Sequence, residues 1–252
     1  MICMEQPPRS PRVNYGIDAP VQVFGFLVIA LLGVGLGVSV SRGNWLHGEA
    51  LRWTVTLSSI TTGVVFLVTA IIMLWGSRVG KIRLVQEVIG QMEWRGDERV
   101  LDVGCGHGLM LITAARRLTS GNAMGVDVWR NYDQARNSRA ATQANLELMG
   151  MTNRAQLQDA DARQLPQGDG SFDVVLSSWV IHNISDEEGR LQALREMVRV
   201  LRPGGRLVII DILHTREYAR ELMRLGFANV RRVGPNYLFA WSSYTLTVVK
   251  PG

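Results

Sequence analysis

Residues 99–108 read Arg99-Val100-Leu101-Asp102-Val103-Gly104-Cys105-Gly106-His107-Gly108 and lead into the helical pattern Leu109 to Leu118. A short apolar run, a glycine turn and a helix start make the strand–turn–helix unit of an open α/β sheet, whose ligands bind at the carboxyl ends of the strands. Glycines at 104, 106 and 108 are weak evidence by themselves, since such loops serve several nucleotides and some merely turn the chain. The acid beside them discriminates. Asp102 lies just before the first glycine, where a carboxylate would oppose a pyrophosphate, and this argues against a nicotinamide-dependent oxidoreductase.

Outward from this loop, residues 97–252 alternate strands with helices, the pattern of a mostly parallel sheet covered on both faces. Gly125-Val126-Asp127 closes a second strand, Ala155 to Gln158 reads as a third followed by Asp159-Ala160-Asp161-Ala162, and Phe172 to Ser177 reads as a fourth. Pro203-Gly204-Gly205 stops a helix and starts the fifth strand.

The stretch LDVGCGHG resembles motif I of class I S-adenosylmethionine-dependent methyltransferases, and the resemblance runs from about Val100 to the C-terminus with the further segments matching in order. It implies a doubly wound, mostly parallel, seven-stranded Rossmann-like sheet, with S-adenosylmethionine as cofactor and S-adenosylhomocysteine as product. By that resemblance Asp102 faces the methionine ammonium, while Gly104, Cys105 and Gly106 form the cofactor loop. Asp127 accepts hydrogen bonds from both ribose hydroxyls, as an ionised carboxylate can, with Val128 beside it. Asp161 meets the adenine amino group and the Ala162 N–H an adenine ring nitrogen, Trp129 and Leu165 cover the ring, and Ser177 contributes from the fourth strand. The alternative for Asp159 or Asp161 is a cap on the next turn. Val13 to Pro20 and Ser177 to Ile184 (VNYGIDAP and SSWVIHNI) resemble the bacterial small-molecule group related to ubiquinone- and arsenite-methylating enzymes. In that group the first segment is a lid, which implies that Tyr15 and Asp18 fold over the cofactor; a solvated juxtamembrane turn is the alternative.

Val21 to Val40 is a run without a charge, long enough as a helix to cross a hydrocarbon layer of ~30 Å, and Trp53 to Trp75 is a second. The chain is thus expected to divide into a juxtamembrane or lid segment (1–20), two transmembrane helices (about 21–40 and 53–75, within 21–76), a linking helix (77–96) that packs on the sheet or lies on the membrane, and the catalytic domain (97–252). The short loop Ser41 to Arg52 makes an antiparallel hairpin, so the N-terminus and the domain share one side, expected to be cytoplasmic because the cofactor is made there. The net charge of +5 is read as attraction to membrane lipids by Arg9, Arg12, Arg78, Lys81 and Arg83, not as binding to nucleic acid.

Methyl transfer from a sulfonium is an in-line displacement in which positioning supplies roughly 7 to 11 kcal/mol, and a base is needed only for a protonated nucleophile. Trp179, His182, Asn183, Asp211 and His214 fall near the ends of the fourth and fifth strands, where the acceptor should lie. His182 is a base, an orienting residue or a helix cap. Cys3 and Cys105 carry neither a disulfide pattern nor a metal site. A non-catalytic S-adenosylmethionine-binding membrane module would lose its cofactor acids, whereas Asp102, Asp127 and Asp161 are present. A membrane hairpin favours a lipid-like small acceptor, with a polar metabolite as the alternative.

Overall fold

A computed structural model describes residues 13–43, 46–130, 137–238 and 241–252. Arg9, Arg12 and Cys3 lie outside the described residues. Two long helices come first, α1 (Pro20–Arg42) and α2 (Glu49–Trp75). A π-helical turn (Gly76–Gly80) carries α2 without a break into α3 (Lys81–Gly90).

The hairpin packs through small residues. Buried positions recur every seven residues, at Val23, Ala30 and Gly37 on α1 and at Thr56, Gly63 and Ala70 on α2, with Val40 and Met73 each three residues beyond, the spacing of a left-handed two-helix seam. Gly63 fits tightly: a Cβ there would stand 2.8 Å from the Ala30 carbonyl oxygen and the Val34 amide nitrogen. Most bulky side chains face outward, with Phe24 69% and Leu31 76% exposed, while Met73 is buried and Phe26 packs on Phe66 between the helices. Small inside and large apolar outside inverts the order of a water-soluble helix pair.

Seven strands follow: β1 (Arg99–Val103), β2 (Asn122–Asp127), β3 (Ala155–Asp159), β4 (Phe172–Ser178), β5 (Leu201–Asp211), β6 (Arg231–Asn236) and β7 (Ser243–Val249). Their order is β3-β2-β1-β4-β5-β7-β6, with β7 alone antiparallel to its neighbours. This is the doubly wound Rossmann-like sheet that the resemblance implied. Alternation along β1 shares its side chains between two cores. Val100 packs on α3, α4 (Leu109–Ala115) and α5 (Arg139–Leu148), while Leu101 and Val103 pack on α6 (Glu187–Val200) and α7 (Thr215–Arg224). Leu84, Val85 and Ile89 of α3 are buried in the first core, so the linking helix packs on the sheet. Pro203-Gly204-Gly205 lies inside β5, not ahead of it; the strand starts at Leu201, and its pairing with β4 shifts register there.

The seam is testable in the detergent-solubilised protein. Gly63→Leu should lower the thermal unfolding midpoint by an amount equivalent to about 1 to 3 kcal/mol of overpacking. Gly35→Leu is the control, because a Cβ at Gly35 meets nothing within 4 Å. Equal midpoints for the two variants would show that the seam is not close-packed.

Candidate functional site

The turn after β1 is bonded on two sides. The Gly104 and Cys105 amides donate to the Val126 carbonyl at 2.7 and 3.0 Å, which ties the loop to β2. From α5, the Thr142 hydroxyl donates to the Gly106 carbonyl at 2.5 Å and Asn145 Nδ2 to the His107 carbonyl at 2.9 Å. Gly104, Gly106 and Gly108 have φ of 72°, 50° and 81°, a region that favours glycine. At Gly104 a Cβ would also collide with the Val180 side chain. The first turn therefore needs glycine for both backbone and space.

Asp127 ends β2 beside this loop. Its Oδ2 accepts from the Gly106 amide at 2.8 Å and its Oδ1 from the Trp129 amide at 2.6 Å, which leaves acceptor capacity on both oxygens. A cavity of ≈ 480 Å³ opens here, within the range of small-molecule sites. Its wall includes Tyr15, Asp18, Gly104 to His107, Asp127, Val128, Asp161, Ala162, Trp179, His182 and Asn183, and it extends to Gln22, Met73 and Trp241.

Six expected site residues lie off that wall, Asp211 among them. Asp102 is buried in β1 and does not reach the wall; the Ser177 hydroxyl donates to the Val103 carbonyl at 2.9 Å and binds strand to strand, while the next residue, Ser178, reaches the cavity. Trp129 has left-handed backbone, φ 57°, and its indole donates to Asp159 at 2.8 Å. Leu165 is buried in the core under α6, too deep to cover a ring. His214 pairs with Glu217 at 3.2 Å. Asp161 is on the wall, held at 2.6 Å by Arg163, whose hydrogen bonds keep its carboxyl below the usual range.

Asp211 stands behind the wall and orders it. Fully buried at the end of β5, it accepts from His182 Nδ1 at 2.5 Å, the His182 amide at 3.2 Å, the Ile212 amide at 2.8 Å and the Tyr218 hydroxyl at 3.5 Å. Burial and the Asp211 charge raise the Tyr218 phenol, which stays protonated as a donor. With an ionised carboxylate at Nδ1, that nitrogen carries the imidazole proton and Nε2 is the basic one. Trp179, also left-handed at φ 54°, fixes the turn after β4 through its amide to Ile210 (2.8 Å) and its indole to Ser243 (3.0 Å). Such strain gathers at functional sites.

Asp102 tests which ligand fits. It is 1% exposed, and no side chain among the described residues bonds its carboxylate, which has the Leu111 backbone amide near it. Burial pushes its pKa up to about 7, against a lowering by the Leu111 backbone amide and with a further rise from Asp127. Burial also raises the Cys105 thiol, which stays protonated. Two carboxylates beside one glycine loop favour a cationic ligand and disfavour an anionic one. An aminoacyl sulfonium with a ribose fits this donor set; a pyrophosphate does not.

Lys81, Asn145 and Thr142 were not legible as site residues. Lys81 reads in sequence as a membrane-flanking charge, but it is buried on the cavity wall; only an Asp18 partner within one helix turn of the span hinted at this.

Comparison with known proteins agrees with the geometry. Residues 101–209 match the family model described as "Methyltransferase domain". Methyltransferase GfsG of Streptomyces halstedii is 36% identical over 131 residues, 52% of this chain and 44% of that protein. The demethylmenaquinone methyltransferase of Symbiobacterium thermophilum is 31% identical over 143 residues, 56% of this chain and 52% of that one. The chain therefore spans about half the length of these relatives. In fold it resembles an S-adenosylmethionine-dependent methyltransferase from Aquifex aeolicus, with TM-score 0.51 and 18% identity over 66% of this chain and 88% of that one.

The buried acid sets a pH test. In the folded chain Asp102 keeps its proton to about pH 7, against an ordinary value of 3.8. Between these values the folded state binds the extra proton, so stability falls as pH rises and levels off above about 7. The full loss is roughly 4 kcal/mol at 1.36 kcal/mol per unit. Asp102→Asn should therefore gain stability relative to the native chain from pH 4 to 7 in denaturant titrations. A difference independent of pH would refute the assignment.

Proposed function

The chain carries a class I, Rossmann-like, S-adenosylmethionine-dependent methyltransferase domain, and we propose that it transfers a methyl group to a small, lipid-like acceptor at a membrane surface. One observation carries this reading: a single cavity joins Asp127 and the glycine loop to His182, and runs on to Gln22 and Met73 of the apolar hairpin.

When bound, S-adenosylmethionine supplies an electrophilic methyl on a sulfonium. Asp127 is assigned to the ribose hydroxyls, the loop from Gly104 to Gly106 and Val128 to the body of the cofactor, and Asp161 with the Ala162 amide to adenine. His182 is assigned to the acceptor: Asp211 holds Nδ1, and Nε2 takes the proton of a hydroxyl or amine as it becomes a nucleophile. Trp179 and Asn183 shape the same side of the cavity. Asp211 is a positioning residue, since it acts through His182.

The hairpin is assigned to a bilayer, with the N-terminus and the catalytic domain on the cytoplasmic side. Its outward face of Phe, Leu, Ile and Val suits hydrocarbon, and its inner seam of small residues gives close helix packing there. An acceptor with an apolar body then reaches the cavity without transfer to water, which costs about 0.8 kcal/mol per CH₂. One relative is named for demethylmenaquinone, a quinone, which supports an acceptor of that character.

The deciding experiment supplies methyl-labelled S-adenosylmethionine to the detergent-solubilised protein with fractionated membrane lipid, water-soluble metabolites and protein. Label is expected in a lipid-extractable small molecule. Label in the aqueous fraction would overturn the lipid-like acceptor alone, and no label in any fraction would overturn methyl transfer. With the acceptor found, His182→Gln should lower kcat about 10² to 10⁴-fold. An unchanged kcat would remove His182 from the chemistry.

A further inference from the structure

Residues 14–18 form part of the cavity wall through Tyr15 and Asp18, and two residues distant in sequence hold them there. At one end the Asn14 amide donates to Asn145 Oδ1 at 3.2 Å and Asn145 Nδ2 returns to the Asn14 carbonyl at 2.9 Å. Since Asn145 also bonds the His107 carbonyl, this end is tied to the glycine loop. At the other end Lys81 Nζ donates to the Tyr15 carbonyl at 2.7 Å, the Gly16 carbonyl at 3.2 Å and Asp18 Oδ2 at 2.8 Å. All three of its protons thus go to this one segment. Ser77, one helical turn earlier on the same face, accepts from the Asp18 amide at 3.1 Å.

A lysine that is 2% exposed must have its charge compensated, and the hydrogen bonds of Lys81 among the described residues all go to residues 15–18. We infer that Lys81 is a positioning residue for the cofactor half of the cavity: it fixes residues 14–18 as a wall beside the glycine loop, and cofactor affinity depends on that wall. The name of the cofactor rests on the methyltransferase reading; the hold of Lys81 on the segment does not. Because Lys81 continues the helix that begins at Glu49, the hairpin sets where this wall stands.

Two readouts on the full-length protein in detergent test this. Without ligand, Lys81→Met should speed amide hydrogen exchange at residues 14–18 by about tenfold or more while β1 and β4 keep their protection. In calorimetry the same variant should bind S-adenosylmethionine about tenfold or more weakly, and Lys81→Arg should recover part of the loss. Asp18→Asn keeps the two carbonyl bonds and should shift both readouts less, in the same direction; it decides if Lys81→Met does not fold. Unchanged exchange at residues 14–18, equal loss of protection throughout the sheet, or faster exchange with unchanged affinity would each overturn the inference. If the native chain binds no S-adenosylmethionine, the cofactor assignment fails, and the exchange experiment alone decides whether Lys81 holds the wall.

Discussion

The hydrogen bond from the Gly106 amide to Asp127 joins the end of β1 to the end of β2, and the site is built outward from it. A carboxylate at that point requires the loop to present a backbone N–H, and the loop can do so only because glycines take left-handed backbone with no side chain against Val180. Once the loop is fixed, α5 buttresses it through Thr142 and Asn145, and Asn145 extends the same support to the N-terminal segment. Displacing Asp127 would release the loop, and then the wall that leans on it.

Three buried ionisable groups around the cavity are treated differently, and each treatment suits a different task. Asp211 has four donors, which fix its carboxyl group so that it can orient His182. Lys81 spends its protons on one short segment, which makes it a structural clamp. Asp102 has no side-chain partner among the described residues and stays protonated to about pH 7, a cost the fold carries next to the loop. A nearby cation would offset that cost, so stability is traded for preference between ligands.

The hairpin and the sheet domain follow opposite packing rules. In the sheet domain, bulky side chains fill two cores and charges lie mostly outside. In the hairpin, glycine, alanine and threonine share the seam with Val23, Val40 and Met73, and most large apolar side chains face out. The unbroken helix through the π-helical turn joins the two regimes, and Ser77 and Lys81 are on it where one gives way to the other.

Period and composition alone determined much of this. The strand before Gly104, the helix after Gly108 and the two apolar spans are local patterns, set by nearest-neighbour backbone preference and by side-chain periodicity. Asp127 is singled out by the resemblance of its segment to the methyltransferase motif, and the structure places it at the end of β2 beside the glycine loop. Local pattern could not show which neighbour a side chain faces. Ser177 and Ser178 are indistinguishable until strand alternation and the pairing with β1 place one on each face. Trp129 reads as a ring cover, but its left-handed backbone aims the indole at Asp159. His182 and Asp211, 29 residues apart, meet because β4 and β5 pair in parallel and end together. Lys81 reads as a surface charge because its partners lie more than 60 residues earlier. Burial and pairing between distant segments are properties of the folded chain as a whole, so only the tertiary structure could decide them.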